Sequence, residues 1–172
     1  MTGAGSGGEA ITPAGLESLR AELHGLETSA REAMSERIKF AREMGDLKEN
    51  AEYHMAKDAQ AHLETRIARL RIRLADAVVV DVDPGGDTFA FGRTAEVLDE
   101  ARGERHTWTV VGPTEADLAR GRLSGESPVG RALLGRSPGE TVEVPTPRGP
   151  RSYRIEKLLP RPRAKPRASG SV

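Results

Sequence analysis

The sequence contains no cysteine, and only one Trp, two Tyr and three Phe among its 172 residues. Without cysteine there are no disulfides, no thiolate zinc sites and no cysteine nucleophile, which is compatible with a reducing cytoplasm, the location expected here. With so few aromatic rings, aliphatic side chains must supply most of the burial, so any core is thin; packed helices and a small sheet are favoured over a large enzyme barrel. Net charge is also lacking. Lys plus Arg and Asp plus Glu both number 26, so no global field steers the chain to nucleic acid and any contact with phosphate has to be local. No apolar run approaches the ~20 residues that span a bilayer. Residues 1–10 are Gly-rich, with neither a basic start nor an apolar run, and read as a flexible leader rather than a signal peptide.

What the sequence does have is helical periodicity. Thr12 followed by Pro13 is an N-cap with proline at the first helical position. From there Leu16, Leu19, Leu23, Leu26, Ala30, Ala33, Met34, Ile38, Ala41 and Met44 recur at spacings of three and four and form one stripe, with Gly25 a blemish of about 1 kcal/mol. The pattern halts at Gly45-Asp46. It resumes through Ala51, Met55, Ala56, Ala59, Leu63, Ile67, Leu70, Leu74 and Ala77. Two long helices with so short a connection run antiparallel as a coiled-coil hairpin, Leu-rich at its base and slim at its tip. The first arm, from Pro13 to Met44, is roughly 48 Å long at about 1.5 Å per residue, long enough to act as a probe.

Beyond Ala77 the pattern changes. Residues 78–83 are β-branched and end at a Pro-Gly-Gly turn, which marks a domain boundary. Further strands are expected at 95–98, 106–111, 141–144 and 153–159, with short helices at 114–118 and 129–134. The sum is an α+β chain: a leader over 1–10, a helical hairpin over 11–78, a compact, mainly antiparallel α+β domain over 79–159, and a tail over 160–172. In that tail alternating proline and Arg161, Arg163, Lys165 and Arg167 predict a disordered basic segment.

The chemistry is concentrated at the hairpin tip, residues 45–53, GDLKENAEY. Asp46 and Glu49 lie three positions apart, a spacing that puts side chains on one side of a helical turn. Such a pair can hold one Mg²⁺ weakly, leaving a second macromolecule to complete the site. The same spacing also suits a helix N-cap followed by a carboxylate, a variant of the capping box. Exposed acids at a slim tip enclose no pocket, which argues against a free-standing hydrolase.

This nonapeptide, at the turn of a helical hairpin, resembles the tip signature of the Gre family of bacterial transcript cleavage factors, its GreA branch more than its GreB branch. The segment SPVGRALLG at 127–135 and the stretches PGETV at 138–142 and TPRG at 146–149 resemble the family's C-terminal motifs, so the likeness runs through the whole chain apart from its ends. It implies a coiled coil that enters the secondary channel of RNA polymerase and an FKBP-like domain that docks at the channel rim. It further implies that Asp46 and Glu49 help the polymerase retain a second Mg²⁺ and orient the attacking water while it cuts the extruded 3′ end of backtracked nascent RNA. The protein would be an accessory factor, monomeric, with the polymerase as the enzyme. A channel-binding inhibitor that promotes no cleavage is the alternative; the presence of both tip acids and Asn50 speaks against it.

Other residues carry weaker signals. Lys39, Arg42 and Lys57 flank the tip and could meet RNA phosphates, as the family's basic patch does, or simply solvate the coiled coil and pair with Glu36 and Glu43. Gly45, Asn50 and Tyr53 are expected to support the tip. Ser127 and Pro128 resemble the loop through which the family's C-terminal domain contacts polymerase, and Ser-Pro is equally a helix start. His54 and His62 are about 12 Å apart along their helix, too far to share a metal ion. Trp108 reads as a core residue, and a domain so poor in aromatics gives no reason to expect prolyl isomerase activity.

Overall fold

The computed structural model describes residues 8–80 and 86–160. The chain divides into two compact units at Val79/Val80, and each follows from its own sequence pattern.

The first unit opens with β1 (Ala10–Ile11) and continues into α1 (Pro13–Gly25). Thr12 caps α1 as expected, its Oγ1 accepting from Gly15 N–H at 3.0 Å. The first arm is not one uninterrupted α-helix. A π-turn over Leu26–Ala30 follows Gly25 and joins α1 to α2 (Arg31–Glu43). Thr28 Oγ1 donates to His24 O at 2.7 Å beside that junction, a back-bond that commonly bends helices. The second arm, α3 (Ala51–Asp76), is continuous for 26 residues, about 39 Å. At the base of the hairpin Ile11, Leu19, Leu23, Ile67 and Leu70 form a buried cluster. Four ion pairs, Arg31–Glu64, Arg37–Glu52, Arg66–Glu22 and Arg71–Glu27, tie the arms along their length. All are solvent-screened, so they fix register more than they add stability.

Three sequence expectations change at the base. Of the strand expected over 78–83, only Val78–Val79 forms, as β2; Val80 has left the strand, and residues 81–83 lie outside the described residues. β2 pairs in parallel with β1, Ala10 opposite Val78 and Ile11 opposite Val79. Glu9 O accepts from Val78 N–H at 2.9 Å. Ala10 is therefore a paired strand residue and not part of a leader. The two units also divide one residue later than the boundary read from the sequence, because Val79 is held by Ile11. The expected tail from 160 falls, after Pro160, outside the described residues.

The second unit is a five-stranded sheet in the order β5-β4-β3-β7-β6. Its strands are β3 (Thr94–Asp99), β4 (Glu104–Val111), β5 (Arg122–Ser124), β6 (Thr141–Val144) and β7 (Arg151–Leu159). Helix α4 (Pro128–Leu133) sends Leu133 into the core beside Phe89, Val97, Val110, Val144 and Ile155, all nearly inaccessible to solvent. The unit is α+β as expected and mainly antiparallel; β4 and β5 run parallel. The short helix expected at 114–118 does not form. Asp117 is extended and exchanges backbone hydrogen bonds with Arg122 in an isolated bridge, leaving one 3₁₀ turn at Leu118–Arg120. Trp108 is half-buried against the core, stacked on His106 and tilted against Tyr153.

Candidate functional site: the tip of the hairpin

The tip is shaped by one side chain, Asn50. It is the N-cap of α3: its Oδ1 accepts from Tyr53 N–H at 3.1 Å. Its Nδ2 donates to Ala41 O at 2.6 Å across the hairpin. Ala41 O also accepts from Met44 N–H at 3.3 Å, so a carbonyl left over at the end of α2 is satisfied twice. Gly45, at φ 134°, makes the reversal that only glycine makes without strain.

The capping interpretation of Asp46 is thereby corrected. Asp46 does not cap α3; that position belongs to Asn50, four residues later. Instead Asp46 Oδ1 accepts from Lys48 N–H at 3.0 Å, an Asx-turn that fixes the loop before the helix starts. Asp46 and Glu49 therefore sit in a turn rather than on a helical face, and both are exposed. Asp46 keeps its second oxygen free of the turn, and Glu49 makes no hydrogen bond or ion pair with the described residues. His54 Nε2 lies 3.4 Å from Lys48 O and closes the loop from the α3 side.

Lys39, Arg42 and Lys57 are brought together. With Ser35, Ile38, Glu43 and Gln60 they line one open groove of about 430 Å³ between α2 and α3. Arg42 lies over the Tyr53 ring, 5.7 Å from its centroid, and Lys57 Nζ donates to Gln60 Oε1 at 2.7 Å. The salt bridge near the tip uses Arg37 and Glu52, in place of the expected pairing of these cations with Glu36 and Glu43. Sequence reasoning missed Gln60 and Ser35 as groove residues; their signal is the helical phase they share with Lys57 and Lys39.

Four apolar expectations also change: Ala33 and Ala51, placed in the stripes by spacing, are exposed. Met44 and Met55 fit the buried stripes by spacing, yet they are 65% and 59% exposed, while Ala41 and Ala56 are fully buried. The arms approach on these alanines, and so close a seam leaves the longer side chains beside it.

In the second unit Ser127 is a helix cap. Its Oγ accepts from Gly130 N–H at 3.0 Å and donates to Ser124 O at 2.7 Å. The hydroxyl is committed to the fold, and Pro128 is the exposed member of the pair.

Among the described residues no cluster of three or more His, Cys, Asp or Glu side chains gathers to hold a metal ion. Asp46 and Glu49 supply hard carboxylate oxygens on a pinned loop, a donor set that fits a share in a Mg²⁺ site and is too small for a complete one.

Two family models match the chain. One described as transcription elongation factor, N-terminal, matches residues 9–79, and one described as transcription elongation factor, GreA/GreB, C-term, matches residues 84–160. Transcription elongation factor GreA of Bradyrhizobium diazoefficiens is 44% identical over 149 residues, covering 86% of this chain and 95% of the relative. The GreA of Nautilia profundicola is 44% identical over 151 residues, covering 87% and 93%. The crystal structure of GreA factor homolog 1 of Thermus thermophilus is 29% identical and covers 88% of this chain and 99% of that one, with a TM-score of 0.39.

Proposed function

The chain belongs to the GreA/GreB family of transcription elongation factors, and from that membership we propose that it acts on RNA polymerase by stimulating cleavage of backtracked nascent RNA. The observation that carries this is the state of the tip acids: the backbone between Asp46 and Glu49 is pinned by Asn50 and the Asx-turn, while both carboxylates stay exposed. A rigid loop that presents acid oxygens outward without a pocket suits a device that completes another molecule's site.

On this reading the hairpin passes through the secondary channel, and the polymerase supplies the catalytic centre. Asp46 and Glu49 would hold a second Mg²⁺ jointly with the polymerase, where a bound ion activates water and stabilises the charge of phosphodiester hydrolysis. Lys39, Arg42 and Lys57 face the phosphates of the extruded 3′ end. Pro128 offers a contact at the channel rim. The protein is thus an accessory factor rather than an enzyme, acts as a monomer, and works in the cytoplasm where the polymerase is.

Adding the protein with Mg²⁺ to stalled elongation complexes tests this. Release of short RNA and a nascent chain shortened from its 3′ end are expected. Persistent slowing of synthesis with no released RNA would instead make the protein a channel-binding inhibitor.

A further inference from the structure

The seam near the tip is made of alanine, and the large apolar side chains stand outside it. Phe40 is 62% exposed, Met44 65%, Met55 59% and Leu47, in the loop, 41%. At about 100° per helical residue, Phe40 and Met44 fall on one side of Ala41, and Met55 falls on the matching side of Ala56. Lys39, Arg42 and Lys57 fall on the other. The Arg37–Glu52 pair, 2.8 Å apart, crosses the seam on the apolar side, and none of the four apolar residues lines the basic groove. The tip has two chemically different faces.

Single exposed apolar residues are ordinary; Phe40, Met44 and Met55 on one side of the hairpin tip, with Leu47 in the loop that joins the two arms, make a cluster of the kind that marks an interaction surface. Phosphate does not suit it, because Arg37 on that side is already held by Glu52. A second copy of the chain does not suit it either. Four side chains at 41–65% exposure offer an area on the order of half the ~800 Å² per partner that a specific interface needs. A patch this small is useful as one part of a larger interface made by the rest of the same arm.

We infer that Phe40, Met44 and Met55 dock on an apolar patch of protein surface on RNA polymerase, beside the place the acid loop reaches; this rests on the elongation-factor reading above. Held by that side, the arm turns its basic groove toward RNA and keeps Asp46 and Glu49 from rotating away.

The test is the full chain carrying Phe40→Gln, Met44→Gln and Met55→Gln. Glutamine keeps helix propensity, and thermal unfolding of the variant confirms that the hairpin is intact. Binding to the polymerase of the same organism is measured by fluorescence anisotropy over a range of salt, with Asp46→Asn/Glu49→Gln as a second variant. The apolar variant is expected to raise Kd roughly ten- to hundredfold at every salt concentration with the salt slope unchanged, whereas the acid variant binds like the parent. Equal Kd for the apolar variant and parent overturns the inference while leaving the elongation-factor reading intact. A parent that does not bind polymerase overturns that reading itself. Sedimentation showing a parent dimer that the apolar variant dissolves gives the face to a second copy and also overturns the inference.

Discussion

Asn50 Nδ2 donates to Ala41 O at 2.6 Å, joining the first residue before α3 to the last turn of α2. Because the same side chain caps α3 through Tyr53 N–H, one residue sets both where the second helix begins and how the tip loop is held. Asn50→Asp keeps the cap acceptor and loses the donor; Asn50→Ala loses both. The alanine variant is expected to lose about 1 kcal/mol for the cap and a further 0.5–1.5 kcal/mol, roughly, for the crossing bond. The aspartate variant should lose the second part alone. Thermal unfolding ranks the three proteins, and cleavage should fall in both variants, since both free the loop that carries the acids.

Gly45 sits at φ 134° with no atom within 4 Å of where a Cβ would stand. The cost of Gly45→Ala is therefore conformational and not steric, about 1–3 kcal/mol. The variant should melt lower and cleave more slowly with little change in polymerase affinity. An unchanged cleavage rate would show that the loop tolerates a different path.

The groove residues make a prediction about salt. Lys39→Gln with Lys57→Gln removes two cations from one groove, so cleavage should weaken at low ionic strength and the salt dependence should become shallower by roughly one to two in log–log slope. Titrating cleavage rate against potassium chloride measures it. An unaltered slope would return these residues to the role of solvating the coiled coil.

Acid should loosen the arms in a defined window. The Arg31 hydrogen bond, first among its causes, holds the Glu64 carboxyl below its ordinary value of 4.5. The unfolded chain therefore takes up a proton on Glu64 before the folded one does, so the pair's contribution is present at neutral pH and is lost as pH falls from about that value through the folded one. Glu64→Gln should melt below the parent at neutral pH, with the gap closing in acid. The pair is exposed to solvent, so added salt should shrink the gap.

Much of this was legible in the sequence, and the exceptions share a cause. The stripes of leucine foretold both helices, and Thr12-Pro13 foretold the first cap. The second cap was not separable by pattern, because Asp46 and Asn50 are both good capping residues. Asn50 takes the cap through Tyr53 N–H, and its bond to Ala41, a contact between arms that no local pattern shows, holds it there. Met44 and Met55 fit the apolar spacing and are nevertheless exposed, since how closely two helices approach depends on the smallest residues at the seam. The two-residue strands β1 and β2 and the three-residue β5 are too short to show periodicity, and each exists only through its partner.

The most direct test is cleavage by stalled elongation complexes with Asp46→Asn and Glu49→Gln together. The amide oxygen that Asp46→Asn leaves in place of a carboxylate oxygen can still accept from Lys48 N–H, so the loop should keep its shape, and binding to polymerase should match the parent. Loss of RNA shortening with affinity intact is the predicted result. Cleavage at the parent rate by a well-folded double variant would contradict the assignment of these two carboxylates as the working groups of the tip.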